Sequence, residues 1–439
     1  MAMRALRALL LASAAGAIGV PTPARAADVL YVKAAHLIID ASQPEVSPGA
    51  LVITDGVVTA VGTNIQVPAG ARTIDLGSVT IMPSLVDAHT HLEGGAPKPQ
   101  PDQPTPLATP AYAALQAQHK VAAALSLGVA AMRVLGAANF VDVSVKNAID
   151  DGVIPGPHLI TAGHALSVPG GRGDLRPLPY TFDMRDFYTP LNGFVSSPAD
   201  TEKAVQLQIK YGARVIKLLA SGGVGSPLDS PADEHLTFEE MRIAVEQAHV
   251  HHLKAAAHAE NLQAIMDAMR AGVDSIEHGS DLNLEAVDYM KSHRIVLVPT
   301  VSVVAAAHRP APPGAQPYSR YKATQLAEKQ EASFALALQH GVTIAAGSDS
   351  SYPAGNTDVI AEVVSEVEHG MSPRQALVSA TLHGASLLGL DKLGTLATGM
   401  EGDFIAMDGD PLTNIHAIEN VTMVVFKGKI VTDKTKPMS

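Results

Sequence analysis

Cysteine and tryptophan are absent from these 439 residues, aromatic side chains make up 4% and charged ones only 17%. Without cysteine there is no disulfide framework and no thiolate metal site, so nitrogen and oxygen ligands must hold any metal. The absence also suits an oxidising compartment. Scarce aromatics leave no stacking platform for single-stranded nucleic acid. A net charge of −12 opposes binding to nucleic acid or to an anionic membrane. After the N-terminus no apolar run is long enough to span a bilayer. What remains is a chain that is 47% hydrophobic, rich in Ala, Val, Leu and Gly, with enough material for a large close-packed core.

The first residues read as a processing signal. Arg4 and Arg7 precede the apolar run Ala8 to Val20, and Ala24-Arg25-Ala26 supplies small residues at the −3 and −1 positions. This layout predicts a bacterial secretory signal over residues 1–26, with the mature protein periplasmic or secreted. Residues 27–82 and 389–439 alternate short β-like runs with turns, notably Asp55-Gly56 and Lys427-Gly428. They predict one small β-sandwich domain built from both ends of the chain.

Between them, residues 83–388 alternate strands with helices, which implies parallel βα units and an α/β fold. Eight strands are predicted at Ile81–His91, Ala130–Leu135, His158–Ala162, Val215–Leu219, Ala255–His258, Ser275–His278, Ile295–Val298 and Thr343–Ala346. Helices are expected at Tyr112–Leu127, Thr201–Tyr211, Phe238–His251, Leu262–Ala271, Lys322–His340 and Ser372–Leu388, with Thr237 and Ser372 as N-caps. That count is the count of a (β/α)8 TIM-like barrel, whose functional groups come from strand C-terminal ends. The Pro/Gly-rich stretches 94–110, 163–200, 222–236 and 309–319 then become loops over the mouth.

Six residues able to bind metal close those strands: His89, His91, Lys217, His258, His278 and Asp349. His89 and His91, two apart on a strand, point to one side and can share one metal. His258 and His278 end successive strands and could hold a second. Lys217 reads either as an amine snorkelling from the rim or as a buried amine. Burial beside metal would disfavour its ammonium form, and the neutral amine could add carbon dioxide to give a carbamate that bridges two ions. Asp349 reads either as a turn carboxylate or as a metal ligand and general base. A site of this kind would make hydroxide from a bridging water and polarise a scissile carbonyl. Two divalent ions are expected; zinc suits the donors best, and manganese, iron, cobalt or nickel also fit.

These motifs, Val86-Asp-Ala-His-Thr-His91, Val215-Ile-Lys217, Ala257-His258-Ala259, Ser275-Ile-Glu-His-Gly279 and Gly347-Ser-Asp349, make the chain resemble the metal-dependent amidohydrolase superfamily. The likeness spans nearly the whole mature chain and is nearest the imidazolonepropionase-like, prolidase-like subgroup. That resemblance implies a binuclear zinc hydrolase of N-acyl amino acids, dipeptides or ochratoxin-type amides, with carbamylated Lys217. It also implies a homo-oligomer, octameric in several such proteins. A cyclic-amide or lactone hydrolase with the same metals is the alternative. A non-catalytic scaffold is disfavoured because it need not keep all six ligands.

In similar proteins a histidine at the position of His164 bonds the substrate carbonyl, so His164 is expected to stabilise the oxyanion; a rim histidine without a role is the other reading. Relatives often carry histidine near Arg172, which here reads as a solvated charge, with carboxylate binding as the alternative. His293, His308 and Arg309 are further candidates for a substrate carboxylate, and His383 is expected to be structural.

Overall fold

The two turns foreseen near the chain ends fold the terminal strands. In a computed structural model, which describes residues 27–92, 109–174, 186–308, 317–350, 352 and 358–435, Asp55 and Gly56 adopt φ of 48° and 85°, and Lys427 and Gly428 adopt 50° and 73°. Paired left-handed residues match the twist of antiparallel strands. The first turn joins β3 (Gly49–Thr54) to β4 (Val57–Gly62), which form a four-stranded sheet with β1 (Val29–Ala34) and β5 (Arg72–Asp75). The second joins β15 (Val421–Phe426) to β16 (Lys429–Asp433). Those two lie in a five-stranded sheet with β14 (Phe404–Met407), β6 (Thr80–Pro83) and β2 (His36–Leu37). Leu30, Val32, Leu51 and Ile53 from the first sheet share one buried apolar cluster with Ile81, Phe404, Met423 and Val425 from the second.

The middle of the chain is TIM-barrel-like. Parallel strands β7 (Leu85–Thr90), β8 (Val129–Val134) and β9 (His158–Thr161) form one sheet. A second holds β10 (Val215–Leu219), β11 (Lys254–Ala259), β12 (Ser275–His278) and β13 (Val296–Val298). Around them lie α1 (Pro110–Ser126), α2 (Val141–Asp150), α3 (Pro198–Lys210), α4 (Phe238–Val250), α5 (Leu262–Ala271) and α6 (Leu284–His293). They are followed by α7 (Val301–Ala307), α8 (Pro317–His340), α9 (Val359–Glu368), α10 (Pro373–Val378) and α11 (Gly384–Leu388). The predicted caps are present: Thr237 forms a capping box with Glu240, and Ser372 one with Gln375. Small side chains let strands and helices approach closely; Ala255, Ala256, Ala257 and Ala259 of β11 are all fully buried. No described helix is long and apolar enough to cross a membrane.

Three expectations are corrected. The run Ile81–His91 is two strands: β6 pairs antiparallel with β14 in a terminal sheet, and β7 pairs with β8 in the barrel. The helix predicted over Ser372–Leu388 is interrupted by a π turn at Ser379–His383 between α10 and α11. The segment Thr343–Ala346 forms no ladder and lies between β13 and β7, joined to each by isolated bonds. Leu297 N–H donates to Thr343 O, Ala345 N–H to Leu297 O, and Ala88 N–H to Ala346 O. Ala346 N–H, however, turns to Ser379 O in the π turn, and the ring of His383 holds Ile344 O at 2.8 Å. The gap between β9 and β10 is spanned in the same piecemeal way, by Arg214 N–H to Thr161 O and Leu166 N–H to Lys217 O. The predicted signal, most of 94–110, residues 175–185, and Arg309 lie outside the described residues.

Candidate metal centre

Strand ends bring the predicted ligands into two overlapping groups. His89, His278 and Asp349 form one, and His258, Glu260 and His278 the other, with the donor atoms in each within 4.8 Å of one another. Asp349 Oδ1 lies 3.5 Å from His89 Nε2 and 3.0 Å from His91 Nε2. The ring of His278 is 5.2 Å from that of His89 and 4.6 Å from that of His258. Lys217 is buried on β10, and its Nζ has no hydrogen-bond partner. A third grouping, His158, Glu401 and Asp403, lies elsewhere, between the start of β9 and the start of β14.

Neighbouring residues fix which nitrogen each histidine presents. His89 Nδ1 sits 2.9 Å from Glu277 Oε2, and this close contact leaves Nε2 facing Asp349. His278 Nδ1 meets Thr300 Oγ1 at 2.8 Å, which leaves Nε2 free. His258 Nε2 contacts Gly222 O at 3.0 Å, which leaves Nδ1. Orientation of metal-binding imidazoles by such outer contacts is a general feature of metal sites. Glu277 is itself held by Arg133, whose guanidinium donates to Glu277 Oε1 at 2.8 Å, to Ser275 Oγ at 2.9 Å and to Ala88 O at 2.6 Å. Behind His89, buried Asp87 accepts from Ser348 N–H, Ser348 Oγ and Tyr352 OH, fixing the backbone that precedes Asp349.

The electrostatics favour unprotonated ligands. Burial lowers His89 to about 4 and His278 to about 3. It also drives the Lys217 amine down to about 8, against the opposing pull of Glu277 and Asp349 and with Arg133 and Arg172 adding to the lowering. Burial opposes ionisation of Asp349, but the histidines around it, His89 first, hold its carboxyl well below the usual range. Burial pushes Glu260 up to about 8, and its Oε2 lacks a partner. Neutral imidazoles and an ionised carboxylate are the donor states that divalent cations require, and the lowered pKa brings the neutral form of the Lys217 amine closer to reach.

A cavity of about 30 Å³ lies over this cluster, with Arg172, Val224, His258, Glu260, His278, Thr300 and Asp349 among its walls. It shares Glu260 and Leu326 with an outer cleft of about 550 Å³ at Tyr321, Lys322 and Lys329. Arg172 is therefore a wall of the inner cavity, not the solvated charge expected. His164 is not among the walls: its Nε2 accepts from Asn139 N–H at 3.1 Å, its ring meets Phe140, and burial lowers it to about 4. His293 stacks on Tyr289, and His308 pairs with Glu331 at the surface, so neither faces the cavity. Glu260 was not foreseen, although its spacing of two from His258 repeats that of His89 and His91. Arg133 and Glu277 were also missed, because nothing local links residues so distant in the chain.

Comparison with known proteins places this geometry in context. Residues 80–431 match the model of the Amidohydrolase family. The chain is 32% identical over 413 residues to ochratoxinase from Aspergillus niger, covering 90% of this chain and 85% of that protein. The crystal structure of that ochratoxinase superposes with a TM-score of 0.82 over 93% of this chain and 96% of its own. A Xaa-Pro dipeptidase with methionine bound in its active site superposes with a TM-score of 0.84 at 28% identity, covering 92% and 99%. Imidazolonepropionase from Deinococcus deserti is 22% identical over 365 residues, 82% of this chain and 85% of that protein.

Proposed function

The chain belongs to the amidohydrolase family, as a hydrolase of amide bonds, and from that premise we propose that it releases a C-terminal amino acid from N-acyl amino acids or dipeptides with two divalent metal ions, zinc by donor type. An ochratoxin-type amide, an aromatic acid joined to phenylalanine, fits the same description. The observation that carries this reading is the convergence of His89, His91, His258, His278 and Asp349 around a buried Lys217 amine without a partner. We read the two parallel sheets and the segment at Thr343–Ala346 as one (β/α)8 barrel, and the terminal sheets as a β-sandwich. Residues 1–26 would be removed on export to the periplasm or beyond, and the enzyme would assemble as a homo-oligomer.

His89, His91 and Asp349 would hold one ion, and His258 and His278 the other. Lys217, once its neutral amine has added carbon dioxide and lost a proton, would help to hold them as a carboxylate-like ligand. Bound in this way, the ions would acidify a water and polarise the amide carbonyl. Asp349 would take the proton as the water's oxygen adds to the carbonyl carbon, and would return it to the amine nitrogen as the C–N bond breaks. The products would be a carboxylate and a free amine. Glu277 and Arg133 would hold the His89 ring in place throughout. His164 would serve the oxyanion only through Nδ1, since Nε2 is engaged by Asn139.

The test is amino-acid release by the purified mature chain from N-acyl amino acids, dipeptides and ochratoxin A, with chelation and zinc add-back. Release that zinc restores is the expected result. No release from any of them, with two metals bound per chain, would overturn the reading in favour of cyclic amides or lactones.

A further inference from the structure

Arg172 is the only Lys or Arg among the described walls of the inner cavity, and the metal cluster gives it no task. Its backbone is tightly fixed. Gly170 N–H donates to the Asp174 carboxylate, Asp174 N–H to Gly171 O, and Gly173 N–H to Ser167 Oγ. From this turn the side chain crosses two glycines of the facing loop. A Cβ at Gly223 would come within 2.8 Å of Arg172 Nε and 3.0 Å of His258 Cε1, and one at Gly225 within 3.1 Å of an Arg172 terminal nitrogen. The guanidinium and the His258 ring thus lie no farther apart than the sum of the first two distances. Glycine at these positions is what lets the guanidinium occupy the mouth.

That guanidinium is also unpaired. Its Nε is buried without a hydrogen-bond partner, and no described carboxylate pairs with it. The nearby acids are turned elsewhere: Glu260 faces His258 at 3.7 Å, and Asp229 faces His235 and Lys322 while accepting from Gly223 N–H. Lys322, the other cation of this region, is consumed in donating to the carbonyls of Gly223, Ser226 and Asp229. A planar guanidinium on a fixed turn, half-buried and with no carboxylate hydrogen-bonded to it, is complementary to a carboxylate, which it can grip with two parallel hydrogen bonds.

We infer that Arg172 holds the free carboxylate of the substrate beside His258, and so makes the enzyme select amides that carry an anionic group over neutral ones. The inference rests on the amide-hydrolase reading given above. Arg172 would act as a specificity residue, made possible by Gly223 and Gly225.

The experiment compares N-acetyl-L-phenylalanine with its methyl ester by following acetate release, which reports amide cleavage alone. The zinc-loaded wild type, R172Q and R172K are each checked for metal content. For the wild type, the acid should be favoured about ten- to hundredfold in kcat/KM, mostly through KM, the range expected of a charge-assisted hydrogen bond. R172Q should remove most of that preference and leave the ester within about twofold, while R172K should retain part of it. Isothermal titration with L-phenylalanine and L-phenylalaninamide runs beside the kinetics. Binding of L-phenylalanine weakened by R172Q, with neither substrate cleaved, would uphold Arg172 and reject N-acyl amino acids as the substrates. If R172Q cleaves the acid with the wild-type preference, the hydrolase reading survives and the role of Arg172 is overturned. An equal loss of kcat on acid and ester would also overturn it, because it would place the guanidinium on the reacting carbonyl.

Discussion

The terminal sheets and the mouth of the barrel use the same unusual backbone conformation for opposite ends. At the hairpins, φ is positive at Asp55-Gly56 and Lys427-Gly428, where each pair contains the residue type that tolerates it. At the mouth, φ is 68° at His278, 51° at Thr300 and 50° at Asp349, and these residues carry the functional side chains themselves. A β-branched residue such as Thr300 rarely adopts this region, and holding a non-glycine residue there costs about 1–3 kcal/mol. The hairpins obey local rules because their work is to turn the chain. The mouth breaks those rules because its work is to aim side chains at one point, and the surrounding core bears the strain.

The sharpest way to break this comparison is to remove the mouth's central group. Lys217→Ala should abolish bound metal and activity while the apolar cluster of the terminal sheets stays folded. Metal content by atomic emission and far-UV circular dichroism measure the two halves of that statement. Propionate should restore part of both metal and turnover, because it would supply the carboxylate that we propose Lys217 provides as a carbamate. Full activity with two metals per chain would remove Lys217 from the centre. A smaller effect is expected one layer out. Glu277→Gln keeps the size of the side chain but removes the charge beside His89 and Arg133, and should weaken metal binding about 10–100-fold. Competition with a chromophoric chelator reads this directly, and an unchanged affinity would mean that the Glu277–His89 contact does not orient the ring.

What the sequence made legible follows the same division. Strands β10 and β12 and helix α5 lie at their predicted residues, and both hairpin turns and both capping boxes formed where short-range chemistry pointed. All are decided by neighbours within a few positions. The split of Ile81–His91 was hidden because a continuous apolar run does not reveal that Ser84 is where the chain passes from one sheet to another. Arg133 reads as a flaw in an apolar strand until Glu277, 144 residues later, is placed against it. Arg172 reads as a surface charge until the glycine loop is laid over it. Strand-end histidines could be found because a period of two exposes them, whereas the partners that orient them come from other strands and leave no spacing to count.

The finest test asks whether strain and function can be separated at the two regions. Thr300→Gly relieves the left-handed strain but removes the hydroxyl at 2.8 Å from His278 Nδ1. Relief of strain should offset the lost methyl group and the added freedom of the unfolded chain, leaving stability within about 1 kcal/mol of wild type. Metal affinity should nevertheless fall by about tenfold, because the His278 ring loses its orienting partner. Gly56→Ala should do the reverse. Its Cβ would sit at φ of 85° and 3.2 Å from the Lys427 carbonyl carbon, costing about 1–2 kcal/mol in the terminal sheets. Metal affinity should not move. Urea unfolding and metal competition on both variants give four numbers, and the comparison holds only if the two losses fall on opposite measurements. If Gly56→Ala weakens metal binding as much as Thr300→Gly does, the terminal sheets help to set the geometry of the mouth, and the strain there is not maintained by the barrel alone.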